Sequence, residues 1–359
     1  MQSSQNIQSK PPLLLVANFL SSAGGSRSVM EDLAERLRKA QYDLVTASSY
    51  RSGWVRGAHM VAMAIVRRRD YEVTVVDLYS GRAFLWAEGV CGALRMIGKT
   101  FVLTLRGGNL PDFARRRPDR VRRLLNSAAA VTTPSHYLLE EMKPYGDRLR
   151  LLPNPLDMEL YRFKHRERPQ CTLTWLRAFH STYNPSLAPR VVALLAQEFP
   201  DIRLTMVGPD KGDGSFQQTV RVAAELSVTD RVELPGGVFK TDVPHWLNKA
   251  DIFLNTTNVD NTPISVLEAM ACGLCVVSTN AGGIPYLLEH EHDALLVPPD
   301  DPEAMAAAVR RLLTEPGLAD RISRNARQKV EKFDWSIILP QWEKLLMGVA
   351  AKVGSSGVR

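Results

Sequence analysis

The sequence contains no apolar run approaching the ~20 residues that a membrane-spanning helix requires. Its longest candidates, Leu13–Leu20 and Ala58–Val66, have the length of core segments. Cysteine is scarce: Cys91, Cys171, Cys272 and Cys275 in 359 residues do not make a disulfide framework. A reducing, cytoplasmic compartment is therefore expected. The first twelve residues are polar and lack a charged start leading into an apolar stretch, so no secretory signal is expected. There is no tandem repeat, and no low-complexity segment beyond the short termini. The loop Ser21–Ser26 after the first strand lacks the GxGxxG pattern, which argues against a dinucleotide-dependent oxidoreductase. Cys272 and Cys275 form a CxxC with no second pair at zinc spacing, and they read as buried small residues. Glu289–Asp293 alternates acids and histidines before a strand and reads as a solvated loop, so no metal is expected.

What is present is ordinary globular composition, with 45% hydrophobic and 23% charged residues. The net charge of +7 is unevenly spread: residues 1–165 hold 25 Lys+Arg against 15 Asp+Glu (+10), and the rest hold 20 against 23 (−3). A basic front half fits an anionic partner such as lipid headgroups or a phosphorylated acceptor, or else a solvated face. The run Arg115–Arg117 with Arg120, Arg122 and Arg123 lacks interleaved aromatics, so nucleic acid is not expected as a partner. A solvated helix face and a contact with an anionic membrane or acceptor both remain open for it.

Two series of strands and helices alternate along the chain. The first has strand candidates at Leu13–Ala17, Leu44–Ala47, Val73–Val76, Phe101–Leu105, Ala129–Thr132 and Arg150–Leu152. After Pro153-Asn154-Pro155 comes a polar stretch, Tyr161–Gln170, the best linker candidate. The alternation then restarts at Thr172–Trp175, Arg203–Val207, Arg231–Leu234, Ile252–Asn255, Cys275–Ser278 and Ala294–Val297, and the tail is helical from Pro302. This order predicts an α/β protein with two parallel sheets covered by helices. The domains are expected at 1–165 and 166–335, and 336–359 as a helix followed by a flexible tail. Ligands of such sheets bind beyond the carboxyl ends of the strands.

The most informative segment is Asn255–Pro285. It reads strand, polar loop, helix, strand, then Ala281-Gly282-Gly283-Ile284-Pro285. Thr262 before Pro263 suggests an N-cap followed by proline at the first helical position. A helix that starts at a strand's carboxyl end offers free amides to a phosphate. Asp260 stands at its mouth and Glu268, after seven intervening residues, about a turn and a half inside. The pair suits a polyhydroxylated ligand beside a phosphate; a loop acid with a solvent-facing helix glutamate is the alternative.

The run Asp260-Asn261-Thr262-Pro263-Ile264-Ser265-Val266-Leu267-Glu268 resembles the acidic-x7-Glu signature of glycosyltransferase family 4, the group 1 retaining transferases of GT-B fold. Gly24-Gly25, Pro134-Ser135, Pro153–Asp157, Val207-Gly208-Pro209, Gly282–Pro285, Leu295–Asp300 and Phe333-Asp334-Trp335 match in the same order, so the resemblance runs from about Leu13 to Trp342. It implies two Rossmann-like domains facing across a cleft, the first for the acceptor and the second for the donor, with the last helix crossing back to the first. The donor implied is a nucleotide-diphosphate sugar, with no separate cofactor and no metal. Glu268 would bond ribose hydroxyls and Asp260 the sugar. Asn261, Thr262, Pro263 and Ile264 would meet sugar and phosphates, Arg177 would clamp the diphosphate, and Gly24-Gly25 would let backbone approach the ligand. The expected reaction moves a sugar onto a glycan or lipid-linked acceptor, in cell-surface polysaccharide or glycolipid synthesis at the inner face of the membrane.

Three positions depart from the family pattern. The first acid is aspartate, Asp260. The lysine usual about five residues after the diphosphate arginine is Thr182, with Lys240 a candidate replacement charge. Arg106, before Gly107, replaces a histidine; it cannot act as a neutral base but can stabilise developing negative charge. These departures keep a second reading open, a nucleotide-sugar-binding GT-B protein without turnover.

Overall fold

The computed structural model describes residues 10–21 and 28–356. Each of the twelve segments expected as strands is a strand: β1 Leu13–Val16, β2 Leu44–Ala47, β3 Val73–Leu78, β4 Thr100–Leu105, β5 Ala130–Thr133 and β6 Leu149–Leu151, then β7 Thr172–Leu176, β8 Arg203–Val207, β9 Val232–Gly236, β10 Ile252–Asn255, β11 Cys275–Thr279 and β12 Leu295–Val297. They form two six-stranded parallel sheets, ordered β2-β1-β3-β4-β5-β6 and β12-β11-β10-β7-β8-β9. Strands such as β1 (Leu-Leu-Leu-Val) and β11 (Cys-Val-Val-Ser-Thr) are buried throughout. Parallel strands lie under helices on both faces, so both sets of alternating side chains must be apolar or internally bonded.

The chain divides into two compact units. One comprises the residues to Pro134, Leu138–Pro153 and the segment from Ser336; the other comprises Ser135–Tyr137 and Asn154–Trp335. The last helix, Trp335–Ser356, joins the first unit through a Lys10–Glu343 ion pair at 2.9 Å and through buried Trp342, Leu346 and Val349. The division falls between Pro153 and Asn154 rather than at 165. The stretch Tyr161–Gln170 is not a free linker, because it is docked on the second unit. The buried Arg166 guanidinium donates to Asp251 Oδ1 at 3.1 Å and to the carbonyls of Ala250, Lys164 and Cys272. A buried arginine is tolerated only with such a full set of acceptors. Its charge makes the segment look solvated in sequence, while its partners lie far along the chain.

In both sheets the strand order reverses beside the first strand of the series, between β1 and β3 and between β7 and β10. Loops that leave neighbouring strands to opposite sides open a crevice at the carboxyl ends there, where α/β sheets bind ligands.

Candidate functional site

In the second unit the crevice lies between the ends of β7 and β10. Arg177 follows β7 directly, and its amide donates to Val207 O at 3.1 Å. This close pairing requires Gly208, since a Cβ there would lie 1.6 Å from Arg177 O, at φ +156°. The Arg177 guanidinium lies over the Tyr183 ring, 4.4 Å from its centre, and pairs with the Asp260 carboxylate. Burial pushes its pKa down while Tyr183 and Glu268 oppose the shift; a guanidinium keeps its charge nonetheless. Arg177 Nε is buried without a protein partner.

The loop after β10 is pinned from both sides. On the β7 side, Thr256 Oγ1 donates to Tyr183 O at 2.7 Å and accepts from Trp175 Nε1 at 2.9 Å, and Asn258 N donates to Thr182 O at 2.8 Å. On the β11 side, Gly283 N donates to Asp260 O at 2.8 Å. Added Cβ atoms would lie 2.4 Å from Asp260 O at Gly282 and 2.1 Å from Asn261 O at Gly283. The two glycines are what lets this backbone close on the acidic loop. Asp260 Oδ1 accepts from Asn261 N at 2.8 Å, which turns the other carboxylate oxygen toward Arg177.

The helix Ile264–Ala271 begins at this mouth. The structure makes Pro263 its N-cap, with no side-chain cap bond, so Thr262 is not the cap and Pro263 is not the first helical residue. Proline at the cap has no side-chain acceptor, and the first amides of a helix find no partner within it. Thr262 Oγ1 and Ser265 Oγ are also buried without a protein partner. Unpartnered buried polar groups are rare in folded proteins, and three of them, on Arg177, Thr262 and Ser265, gather round this opening.

Glu268 lies deeper, only 4% exposed. Its Oε1 accepts from the Tyr161 hydroxyl at 2.7 Å and lies 3.6 Å from Lys240 Nζ. Burial raises the carboxyl above its ordinary pKa, while Lys240, Tyr161 and Arg177 hold it down. Glu268 is therefore not a solvent-facing helix acid. Lys240 does reach the site, but against Glu268, whereas Thr182 is engaged through its backbone in bracing the β10 loop. Tyr161 and Tyr183 escape a reading of the sequence. The one signal for Tyr161 is an aromatic residue inside an otherwise charged stretch.

The structure brings Arg177, Asp260, Asn261, Thr262, Pro263, Ile264 and Glu268 together in the second unit. Gly24 and Gly25 lie outside the described residues. Arg106 belongs to the first unit, at the end of β4, where its Nε donates to buried Asp77 Oδ1 at 3.0 Å. Burial pushes the Asp77 carboxyl up, and Arg106 opposes this. Three of the six arginines of the basic run pair with acids: Arg115 with Asp112 and Glu141, Arg120 with Glu88, and Arg122 with Asp119 at 3.5 Å. Glu289, His292 and Asp293 come within ligand distance of one another, but Lys329 supplies Asp293 with a cation. Cys272 and Cys275 are buried and free.

Residues 157–329 match the family model "Glycosyl transferases group 1". Two D-inositol 3-phosphate glycosyltransferases are similar in sequence. That of Streptomyces bingchenggensis is 27% identical over 157 residues, 42% of this chain and 34% of that protein. That of Pseudarthrobacter chlorophenolicus is 24% identical over 266 residues, 70% of this chain and 63% of that protein. The match thus spans between a third and two thirds of these relatives. Sucrose-phosphate synthase from Thermosynechococcus elongatus has the same fold, with TM-score 0.79 at 17% identity, over 96% of this chain and 100% of that one. So has Anabaena HepE in complex with UDP and glucose, with TM-score 0.74 at 17% identity, over 93% and 99%. Residues 157–329 thus resemble the group 1 glycosyltransferases, and the two six-stranded parallel sheets share the fold of the GT-B glycosyltransferase structures.

Proposed function

We propose that the chain is a retaining glycosyltransferase that moves a sugar from a nucleotide-diphosphate sugar to an acceptor hydroxyl. The observation that carries this reading is the cluster at the ends of β7 and β10: one guanidinium, two acids at different depths, and three buried polar atoms without protein partners. Arg177 and the start of the helix Ile264–Ala271 stabilise the diphosphate as negative charge develops on it. Glu268, held by Tyr161 and Lys240, accepts from the ribose hydroxyls, and Asp260 from the hydroxyls of the sugar. This cationic set makes the transfer independent of a metal, so activity persists in chelator.

The reaction follows a front-face route. The acceptor oxygen forms its bond to the anomeric carbon as the bond to the phosphate oxygen breaks, and that phosphate oxygen takes the acceptor proton. Retention by double displacement needs a carboxylate nucleophile beside the anomeric carbon, and in this reading Asp260 is committed to sugar hydroxyls. The first unit binds the acceptor, and its basic charge favours a glycan or lipid-linked acceptor at an anionic, cytoplasmic membrane face, in cell-surface polysaccharide or glycolipid synthesis. No helix among the described residues is long and apolar enough to cross a membrane.

Uridine nucleotides are the first donors to test, because the Anabaena HepE structure with the same fold holds UDP and glucose. The test is the rise in melting temperature with a panel of nucleoside diphosphates and their sugars, in wild type and Glu268→Ala. Ligand at about 100 times its Kd adds about 2.7 kcal/mol to the folded state. One nucleotide should raise the wild type, with the rise lost in the variant. No rise with any nucleotide overturns the reading.

A further inference from the structure

The helix Gly53–Val66 in the first unit is inverted relative to an ordinary surface helix. It packs on the helix Arg82–Met96 through Gly57, where an added Cβ would lie 2.0 Å from the Trp86 ring, and it buries Met60 and Ala64. At 3.6 residues per turn, Val55, Ala58, Ala62, Ile65 and Val66 share the opposite arc, with Trp54 at its edge, where its ring also meets the Trp86 ring edge-on at 5.1 Å. All six are exposed, Trp54 at 70% and Val66 at 71%, and none is charged. Met96, at the end of the neighbouring helix, is 89% exposed. The cations stand at the two ends of the apolar stripe, Arg51 before it and Arg67-Arg68-Arg69 after it. Residues 44–69 contain five arginines and no aspartate or glutamate. Asp70, which pairs with Arg67, is the first acid beyond them.

An apolar face of this size normally marks an interaction surface. Its occupant must accept both hydrocarbon along the helix and positive charge at its ends. We propose that this face lies in the interface of an anionic bilayer, with Trp54, Val55, Ile65 and Val66 among the acyl chains and Arg51 and Arg67–Arg69 at the headgroups. An in-plane amphipathic helix combines these features, and juxtaposed arginines add attraction to anionic lipid. The proposal deepens the lipid-facing part of the function above and rests on it for the nature of the acceptor. Lipid binding itself is read separately from donor binding.

The full chain is sedimented with phosphatidylcholine vesicles and with vesicles containing about 30% phosphatidylglycerol. Val55→Glu and Val66→Glu are compared with wild type, as is a variant with Arg67, Arg68 and Arg69 all changed to glutamine. Melting temperature and nucleotide-induced stabilisation are measured beside each. Wild type should bind the anionic vesicles alone. Each variant should lose about tenfold or more of that binding, with melting temperature and nucleotide response unchanged. Absence of wild-type binding, or equal binding by the variants, overturns the proposal. So does a wild-type dimer in solution that the glutamate variants dissociate, since a second copy would then cover the face. Failure of the donor reading would appear as no nucleotide response, whatever the vesicles bind.

Discussion

Replacing Tyr161 by phenylalanine asks whether the buried Glu268 is held as an anion by its neighbours. The substitution removes one oxygen and keeps the ring, which packs among the apolar side chains of the helix Ile264–Ala271. What disappears is the 2.7 Å bond to Glu268 Oε1; Lys240 remains 3.6 Å from the same oxygen. A hydrogen bond to an ionised group contributes about 1.5–3 kcal/mol, against about 0.5–1.5 for a neutral pair. The variant should therefore lose about 2 kcal/mol where Glu268 is ionised and about 1 where it is protonated.

The pH dependence follows from the direction of the shift. Burial raises Glu268 above its ordinary value of 4.5. The folded state then keeps this proton longer than the unfolded state, so stability from this group is greatest at acid pH. It declines as pH rises above 4.5 until the folded form also ionises. Loss of the Tyr161 hydroxyl raises the folded value further, and the decline in Tyr161→Phe continues to higher pH. In a unit the size of Asn154–Trp335, 1 kcal/mol shifts the melting temperature by about 2–4 °C. The gap between wild type and variant should widen from about 2–4 °C at acid pH, where Glu268 is protonated, to about 4–8 °C once the folded form has ionised. Nucleotide binding should show a different trend. A protonated Glu268 is a poorer acceptor for hydroxyls, so the variant's deficit in affinity is largest in the pH window where the wild-type Glu268 has ionised and the variant's has not, and it shrinks toward acid pH, where both are protonated. Calorimetry at several pH values reads both, and a stability gap that does not change with pH refutes the reasoning, leaving Tyr161 as packing alone.

Gly283→Ala introduces no strained φ, since φ is −82°, but its Cβ meets Asn261 O at 2.1 Å. The acidic loop must shift, and nucleotide-sugar affinity should fall about tenfold or more, as a 1 Å misplacement can cost on the order of 100-fold; titration calorimetry with unchanged affinity would sink this. Arg106→Leu strands Asp77 as a buried carboxyl. It should cost about 3–5 kcal/mol near neutral pH, with part recovered toward acid pH because burial already raises Asp77 and protonation removes the uncompensated charge. The double variant Arg106→Leu/Asp77→Leu should melt above the single one, and a lower melting temperature counts against a charge effect.

All twelve strands were legible because buried parallel strands are short apolar runs between turn signals. Helices were less so where their surfaces are unusual. The start of the helix Gly53–Val66 is hard to read, because Trp54, Val55 and Ala58 face solvent and erase the apolar–polar period that marks a helix start. The acids of the site were legible through their spacing on one loop and one helix. Their partners were not. Tyr161 reaches Glu268 across 107 positions of sequence, and Arg166 reaches Asp251 across 85. Nothing local distinguishes a charged residue bound for a buried network from one bound for solvent. Gly208 is similar: the sequence offers a turn, and only the tertiary approach to Arg177 O explains why no side chain fits.

Asp260 carries the sharpest consequence of the site's geometry. It is the carboxylate against Arg177, while Arg177 Nε and the hydroxyls of Thr262 and Ser265 have no protein partner. A partly buried guanidinium favours a counter-ion, since an uncompensated charge removed from water is costly. In the proposed reaction the donor's diphosphate replaces Asp260 as that counter-ion, and the released carboxylate turns to the sugar. Asp260→Asn separates the two roles. The amide cannot neutralise Arg177, so the free protein should lose about 1–3 kcal/mol. The diphosphate then has no carboxylate to displace and meets an unbalanced cation. A nucleoside diphosphate should therefore raise the variant's melting temperature by more than it raises the wild type's, and the nucleotide sugar should lose its advantage over the diphosphate. A variant as stable as wild type when free, and stabilised less by both ligands, would mean that the Arg177–Asp260 pair persists with ligand bound. The exchange of counter-ions would then be wrong, and Asp260 would be part of the clamp.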